Sequence, residues 1–570
     1  MLRKIRITLA AVCFVAVTLL FLDFTGTLHL WFGWLAKVQF LPAVLALNLV
    51  VIAVLLVLTL IFGRIYCSVI CPLGVFQDCV SNLSSRRKGK KSRFAYSKEI
   101  KWLRYGMLVL FIAALVAGLN SLAALLAPYS AYGRMVQSLL APLWQWGNNL
   151  LAWIAERQDS YAFVTKEVWL KSLPTLIVAA VTFIAVVILA WRNGRTYCNT
   201  ICPVGTTLSF FSRFSMFRPV IDISKCKSCH ACERKCKAAC IDVDNHRIDY
   251  SRCVDCFDCI DSCRLGALKY RFAWGRQGEV ASSGTSKDSV SSTGSVTSTS
   301  SVTEQSSTST TKPNTPVTEP VEVTATEPKA TVTEPVEVTA TSPAASKPNA
   351  PEAPARRAFI ASGAAILGGT LLSQLPLSAE DEIKDKKRDG GFAEVLPKKA
   401  PARKTPITPF GSESVERFYQ HCTACQLCVT VCPNNVLRPS SSLEHLMQPE
   451  MSFEKGYCRP ECVKCSEVCP AGAILKITPE EKTAWKVGTA SVDYDLCVVN
   501  RDGVHCGNCA RHCPVGAIKM VKKNPEDEKS LRIPTVNEEK CIGCGACENL
   551  CPSRPISAIT VNGCGVHHNV

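Results

Sequence analysis

Cysteine carries most of the chemistry open to this chain. There are 32 cysteines in 570 residues, and 24 of them form six groups of four. The first two groups are Cys226, Cys229, Cys232, Cys236 and Cys253, Cys256, Cys259, Cys263. The third and fourth are Cys422, Cys425, Cys428, Cys432 and Cys458, Cys462, Cys465, Cys469. The fifth and sixth are Cys497, Cys506, Cys509, Cys513 and Cys541, Cys544, Cys547, Cys551. Three thiolates two residues apart can wrap one side of a cubic [4Fe–4S] cluster. In paired runs of C-x2-C-x2-C-x3-C-P, the last cysteine serves the neighbouring cluster. The spacing therefore predicts six [4Fe–4S] clusters with crossed ligation. Cys263 completes the Cys226 set and Cys236 the Cys253 set. Cys469 completes the Cys422 set and Cys432 the Cys458 set, and Cys551 and Cys513 exchange likewise. Zinc sites usually stop at four ligands built from C-x2-C pairs, and disulfides give no reason for this rhythm. So many clusters in one chain imply a conductor of single electrons.

Two groups deviate. The fourth reads C-x3-C-x2-C-x3-C, and the fifth has eight residues between Cys497 and Cys506. Such insertions lengthen a loop without moving the later ligands. Proline follows the last cysteine at Pro433, Pro470, Pro514 and Pro552, whereas Lys237 and Arg264 stand there in the first two groups. A positive charge at that point favours the reduced cluster and predicts a higher potential. Cys240 competes with Cys236 as a ligand, with the x3 spacing favouring Cys236. Cys13, Cys79 and Cys564 read as bystanders, and His567 and His568 as a solvated tail. Cys226 to His230 matches a haem-attachment pattern literally, but the cysteines after it fit a cluster better.

The apolar residues must position these groups. Hydrophobic residues make up 48% of the chain, yet its middle is polar. They concentrate in runs at about 5–22, 41–62, 103–127 and 173–191, each near the roughly 20 residues that cross ~30 Å of hydrocarbon. The expected fold class is an α-helical membrane domain of four transmembrane helices, with residues 358–377 as an optional fifth. Small α+β ferredoxin-like 2[4Fe–4S] modules follow. Arg3, Lys4, Arg6 and a basic stretch from Arg64 to Arg104 lie on one side of the runs, which the positive-inside rule makes cytoplasmic. The net charge of +17 is partly this topology signal. No nucleic-acid fold accompanies it, so nucleic acid is not an expected partner.

Two of the runs end in the same motif, G-R-x-Y-C-x-x-I-C-P-x-G, at Gly63–Gly74 and Gly194–Gly205. Cys67, Cys71, Cys198 and Cys202 are thus candidate redox thiols. Symmetry could bring the two pairs together to hold a metal or cluster, or to act as dithiols; the plainer alternative is structural thiols. Asp23, His29, Tyr129 and Arg134 are read as outer-loop residues that either contact a quinol or are ordinary loop positions.

The motif, the four spans and the two following groups resemble the NapH-type membrane ferredoxins, related to the polyferredoxin region of NosR-type proteins. The resemblance covers about residues 1–275. It implies a quinol dehydrogenase component that passes electrons from membrane quinol through clusters. Residues 276–354 read as a disordered linker rich in Ser, Thr, Pro and Glu. Arg356-Arg357 and the stretch to about residue 380 resemble a twin-arginine export signal. A charged linker, 381–410, precedes a four-cluster ferredoxin domain, 411–570, and the part from 355 onward resembles the NapG/MauM-type exported ferredoxins. The expected organisation is therefore a NapH-like plus NapG-like fusion, with a membrane domain at 1–220 and a cytoplasmic 2[4Fe–4S] module at 221–275.

The expected setting is a bacterial inner membrane, with the C-terminal domain periplasmic. Expected partners are lipid, membrane quinol as substrate, and a downstream redox protein or reductase. This topology leaves about 30 Å of hydrocarbon between the two cluster sets. The alternative reading is an assembly or regulatory factor for a periplasmic metalloenzyme, working through the C-x3-C-P thiols. A cytoplasmic ferredoxin array is a third.

Overall fold

Long apolar stretches fold as helices until a residue that favours another backbone conformation interrupts them, and such interruptions shape the N-terminal half. In the computed structural model the described residues are 1–23, 25–85, 94–160, 163–274 and 396–569. Residues 1–283 and 394–570 form one compact unit. The second, 284–393, lies outside the described residues, and so do the Arg356-Arg357 signal and the whole of the 276–354 linker.

α1 (Leu2–Leu22) is an unbroken apolar helix. The 41–62 run, expected as one span, is instead two helices, α2 (Phe40–Leu45) and α3 (Leu49–Phe62). Leu47 takes a left-handed backbone, and the Asn48 side chain accepts the Val51 N–H to start the second helix. The 103–127 run divides likewise into α6 (Lys101–Val116) and α7 (Asn120–Leu126), with Gly118 left-handed between them. Between these runs lie α4 (Ile65–Val69) and α5 (Pro72–Ser85). Then come α8 (Pro128–Met135), α9 (Leu173–Asn193), α10 (Thr196–Thr200) and α11 (Pro203–Ser212). Among the described residues, α1 and α9 are the two helices long and apolar enough to cross a membrane. Large apolar side chains such as Val50, Val54, Ile112, Val116, Ile184 and Ile188 stay exposed along these helices.

The repeated motif has a repeated shape. α3, α4 and α5 are matched by α9, α10 and α11. At each long-to-short junction a glycine with positive φ, Gly63 or Gly194, ends the long helix.

The first cysteine-rich module is built on two antiparallel pairs: β1 (Phe217–Ile221) with β4 (Leu268–Phe272), and β2 (Ile241–Asp242) with β3 (Arg247–Ile248). It sits at the N-terminal end of α1, where Arg3 pairs with Asp258 at 2.7 Å. Arg64 and Arg104 both donate to the Ser251 carbonyl, and the Arg195 backbone donates to the Lys237 carbonyl.

The C-terminal domain is a set of short hairpins around the cysteine loops. β5 (Leu437–Pro439) pairs with β6 (Pro449–Met451), and β8 (Ile518–Lys522) with β9 (Arg532–Val536). The final strand, β10 (Ile559–Asn569), pairs with β7 (Trp485–Val492). A small strand is also expected at Ala473–Leu475, but the structure has a turn there, and the Leu475 N–H goes to Gly411. This domain lies at the other end of α1. Lys464 donates to the Thr25 carbonyl just past that helix, Asn120 to the Gln420 carbonyl, and Thr430 to Gln137. α1 has 21 residues, and at about 1.5 Å per residue its ends are ~30 Å apart. The two cysteine-rich units therefore dock at opposite ends of one helix.

The tail is not solvated at His567. That ring is buried on β10, with Nε2 3.1 Å from Thr408 Oγ1. Burial, with His568 alongside, pushes it down to about 4, against about 6.5 when unfolded. The unfolded chain therefore binds the extra proton between those two values. Stability should be complete above pH 6.5, fall as pH drops toward 4, and level off below. At about 1.4 kcal/mol per pH unit the loss is roughly 3 kcal/mol. Unfolding curves across this window should show it for the wild-type chain and much less for His567→Asn.

Candidate iron–sulfur sites

Short loops with left-handed residues aim the thiols. Ser228, His230, Asp255, Phe257, Ala424 and Gln426 all have positive φ within or beside the C-x2-C turns, which folds successive thiols toward one point. Four cavities result, each lined by a three-cysteine loop and the last cysteine of the neighbouring group. Cys422, Cys425 and Cys428 share theirs with Cys469. Cys458, Cys462 and Cys465 share with Cys432, and Cys541, Cys544 and Cys547 with Cys513. Cys253, Cys256 and Cys259 meet Cys236, with Cys240 in the same cavity. In the remaining two groups, Cys232 has Cys226 and Cys263 as charge neighbours, and Cys509 has Cys506, Cys497 and Cys551. Among the described residues, no group of three or more His, Cys, Asp or Glu closes tightly enough for a single metal ion. The thiols surround space for a larger inorganic core.

Burial pushes Cys425, Cys458 and Cys509 up to about 11 and Cys544 up to about 12. Metal binding must therefore displace protons, and cluster binding and folding are linked. Cys236 is the exception, pulled down to about 7 by the Cys240 thiol, whose sulfur lies 3.5 Å away. Cys240 thus sits beside Cys236 at the site, as its reading as a competing ligand expected.

The two deviant spacings have local causes. Buried Lys482 donates to the carbonyls of Arg459 and Cys462, both 2.5 Å away, so the extra residue between Cys458 and Cys462 is held by a cation. The longer gap after Cys497 holds a helical turn, Val498–Arg501.

The Lys237 ammonium, the charge expected to raise the potential of its cluster, lies 2.9 Å from Asp258 and 3.7 Å from Asp78. Asp78 is a junction that sequence reasoning missed. It also pairs with Arg195 at 2.8 Å and Arg6 at 3.0 Å. The one signal was that it is the sole acid in α5.

The four thiols of the repeated motif are all buried and all free. Each motif's arginine reaches across to the other copy. Arg64 Nη2 donates to the Cys198 carbonyl at 3.1 Å, and Arg195 Nη1 to the Cys67 carbonyl at 2.7 Å. Gly74 and Gly205 make room for these guanidinium groups: a Cβ would lie 2.7 Å from Arg195 Nη1 at the first and 2.6 Å from Arg64 Nη2 at the second. Asp23 and His29 form a buried pair, with Asp23 also accepting from the backbone of Gly26 and Leu28. Tyr129 and Arg134 lie buried on α8 instead of in an open loop; Arg134 donates to the Ala124 and Leu125 carbonyls.

A family model described as a 4Fe-4S dicluster domain matches residues 421–498 and 504–554. Another, described as a 4Fe-4S binding domain, matches 44–91 and 175–221, one segment for each copy of the motif. The chain is 32% identical over 165 residues to the methylamine utilization ferredoxin-type protein MauM of Methylobacillus flagellatus, covering 28% of this chain and 70% of that protein. Against MauM of Methylorubrum extorquens the identity is 30%, over 35% of this chain and 86% of the relative.

This chain belongs to the MauM family of ferredoxin-type proteins.

The match to the ferredoxin-type protein NapG of Haemophilus influenzae is 30% identical, over 25% of this chain and 53% of that one. No solved structure matches. The four C-terminal cysteine groups of this MauM-family chain thus lie in a 4Fe–4S dicluster match, and the donor set of all six groups suits such clusters: soft thiolates, in loops too open for one ion.

Proposed function

We propose that this chain is a membrane-bound iron–sulfur protein that draws electrons from quinol and relays them to a periplasmic reductase or its donor. The 24 cysteines hold six [4Fe–4S] clusters, in the crossed sets that line the cavities. The N-terminal half spans the inner membrane with its helices, in a NapH-like arrangement fused to a NapG-like domain. The first module faces the cytoplasm and the last domain the periplasm. The observation that carries this reading is the docking of the two cysteine-rich units at opposite ends of α1. The exposed apolar faces of the helices between them support it, since a water-soluble surface rarely leaves such patches bare. An assembly factor that exchanges thiols needs them accessible, and those of the repeated motif are buried.

Reduced quinol is oxidised to quinone with release of two protons and two electrons, and each cluster accepts one electron. Anaerobic protein in lipid nanodiscs should therefore lose its visible cluster absorbance on addition of a quinol and recover it with a one-electron acceptor. Clusters that bleach with dithionite but not with any membrane quinol would refute quinol as the donor.

A further inference from the structure

We propose that Arg134 and Lys171, two cations of the helical half, are counter-ions of the cluster held by Cys422, Cys425, Cys428 and Cys469, and that they raise its reduction potential when the C-terminal domain is docked. The inference rests on the proposed function for the presence of that cluster. The tuning rests on where the two side chains lie.

The Cys422 loop packs directly against the helices. Ala424, between its first two thiols, shares a small cluster of buried residues with Ala124 of α7. The Cys425 carbonyl closes on Gly133 of α8, where a Cβ would lie 2.5 Å away. Arg134 follows that glycine in sequence and is 1% exposed. Its guanidinium donates to the carbonyl of Ala124 at 3.0 Å and to that of Leu125 at 3.3 Å. The charge is thus held on the residue that packs with the thiol loop. Lys171, just before α9, comes from another part of the chain. Its ammonium donates to the Val429 carbonyl at 3.4 Å, one residue past Cys428.

Among the described residues neither cation has a carboxylate at ion-pair distance. The acidic groups that act on Arg134 are the Tyr197 phenol and the Cys425 thiol. Those that act on Lys171 are the Cys432 and Cys428 thiols. Burying a cation without an anion is costly, and a phenol or a protonated thiol is neutral. Thiolates around an iron–sulfur core carry a net negative charge, so the loaded site supplies the missing anion. The first cysteine-rich module is arranged otherwise, with Lys237 beside the carboxylates of Asp258 and Asp78.

The sign follows from the charge of the electron. Reduction adds one negative charge at the thiol loop, and no bond forms there. A cation nearby therefore favours the reduced state, and burial strengthens the attraction. Both cations belong to the helical half, so the potential depends on docking. By reciprocity, reduction tightens the docking. The two cations also differ in reach. Cys425 is the one thiol that acts on Arg134, whereas Lys171 stands beside Cys428 and Cys432, which line two different cavities.

The test is a redox titration of the full chain, purified anaerobically with its clusters. Dithionite supplies the electrons, and electron paramagnetic resonance follows each reduced signal. The signal of this cluster is the one that Cys469→Ala removes. Arg134→Gln should weaken its reduction equilibrium at least tenfold, a fall of about 59 mV for one electron, and leave the other signals in place. Lys171→Gln should lower this signal and also that of the Cys458 set, which shares a cavity with Cys432. Arg134→Lys keeps the charge and should keep the potential, which a merely structural role would not. If Arg134→Gln does not accumulate, Lys171→Gln decides, since its side chain is only part-buried. An unchanged potential in either glutamine variant, or a fall that Arg134→Lys shares in full, would overturn the proposal. Shifts of the expected sign in a chain that no quinol reduces would leave the tuning standing and remove quinol as the donor.

Discussion

Cys469→Ala is expected to remove the cluster of the Cys422 set, not that of its own group. Cys469 lines the cavity of Cys422, Cys425 and Cys428, whereas Cys458, Cys462 and Cys465 share theirs with Cys432. The variant should lose four irons per chain, and Cys432→Ala should lose four from the other cavity. The two losses differ in consequence. The Cys425 carbonyl packs against Gly133 of α8, where a Cβ would lie 2.5 Å from it. Thr430 and Asn120 tie the same region to the helical half. Losing the Cys422-set cluster should therefore speed hydrogen exchange at 420–431 and loosen that docking. Cys432→Ala should leave those amides protected. Because the buried thiols lie in the same core as Phe410, Phe418, Leu427 and Phe453, cluster loss should also lower the melting temperature of the domain. Ligation within each group would reverse the pattern of the two variants.

Asp78→Asn is expected to be the most damaging single change in the helical half. The carboxylate is buried and lies within 4 Å of Arg6, Arg195 and Lys237. These come from α1, the second motif and the first cysteine-rich module, so one side chain joins three parts of the chain. Removing the anion from a buried ion pair leaves uncompensated charge and costs roughly 3–5 kcal/mol. That is a large part of the ~5–15 kcal/mol that holds a typical domain. The variant should show a strongly reduced melting temperature and faster protease cleavage between 213 and 274. Asp261→Asn is the control. Its partner Arg3 lies 3.4 Å away and both side chains are about half exposed, so the effect should stay below ~1 kcal/mol. Equal behaviour of the two variants would count against Asp78 as the junction.

What could be read from the letters follows from distance along the chain. A C-x2-C-x2-C loop is local, so its residue types and spacing already describe its shape. The repeated motif was equally plain, because two copies of twelve residues match. Helix interruptions at Leu47 and Gly118 were hidden, since apolar letters look alike on both sides of a break and one left-handed residue decides the outcome. Asp78 and Lys237 are 159 positions apart in sequence, and no spacing rule connects them. His567 looked like a loose tail because its partner strand, β7, lies some 75 residues earlier. The swapped arginines belong to the same class. Arg64 and Arg195 stand out in the motif, but only the fold shows that each serves the other copy.

That exchange has a consequence for how the protein is made. Neither motif can finish its own turn, since the guanidinium that closes each one is encoded about 130 residues away. A nascent chain carrying Gly63–Gly74 alone would hold two thiols and an arginine with no companion. The paired arrangement comes into being only after Gly205 has left the ribosome and the later helices have packed beside the earlier ones. A truncated first repeat should therefore emerge as a substrate for quality-control proteolysis.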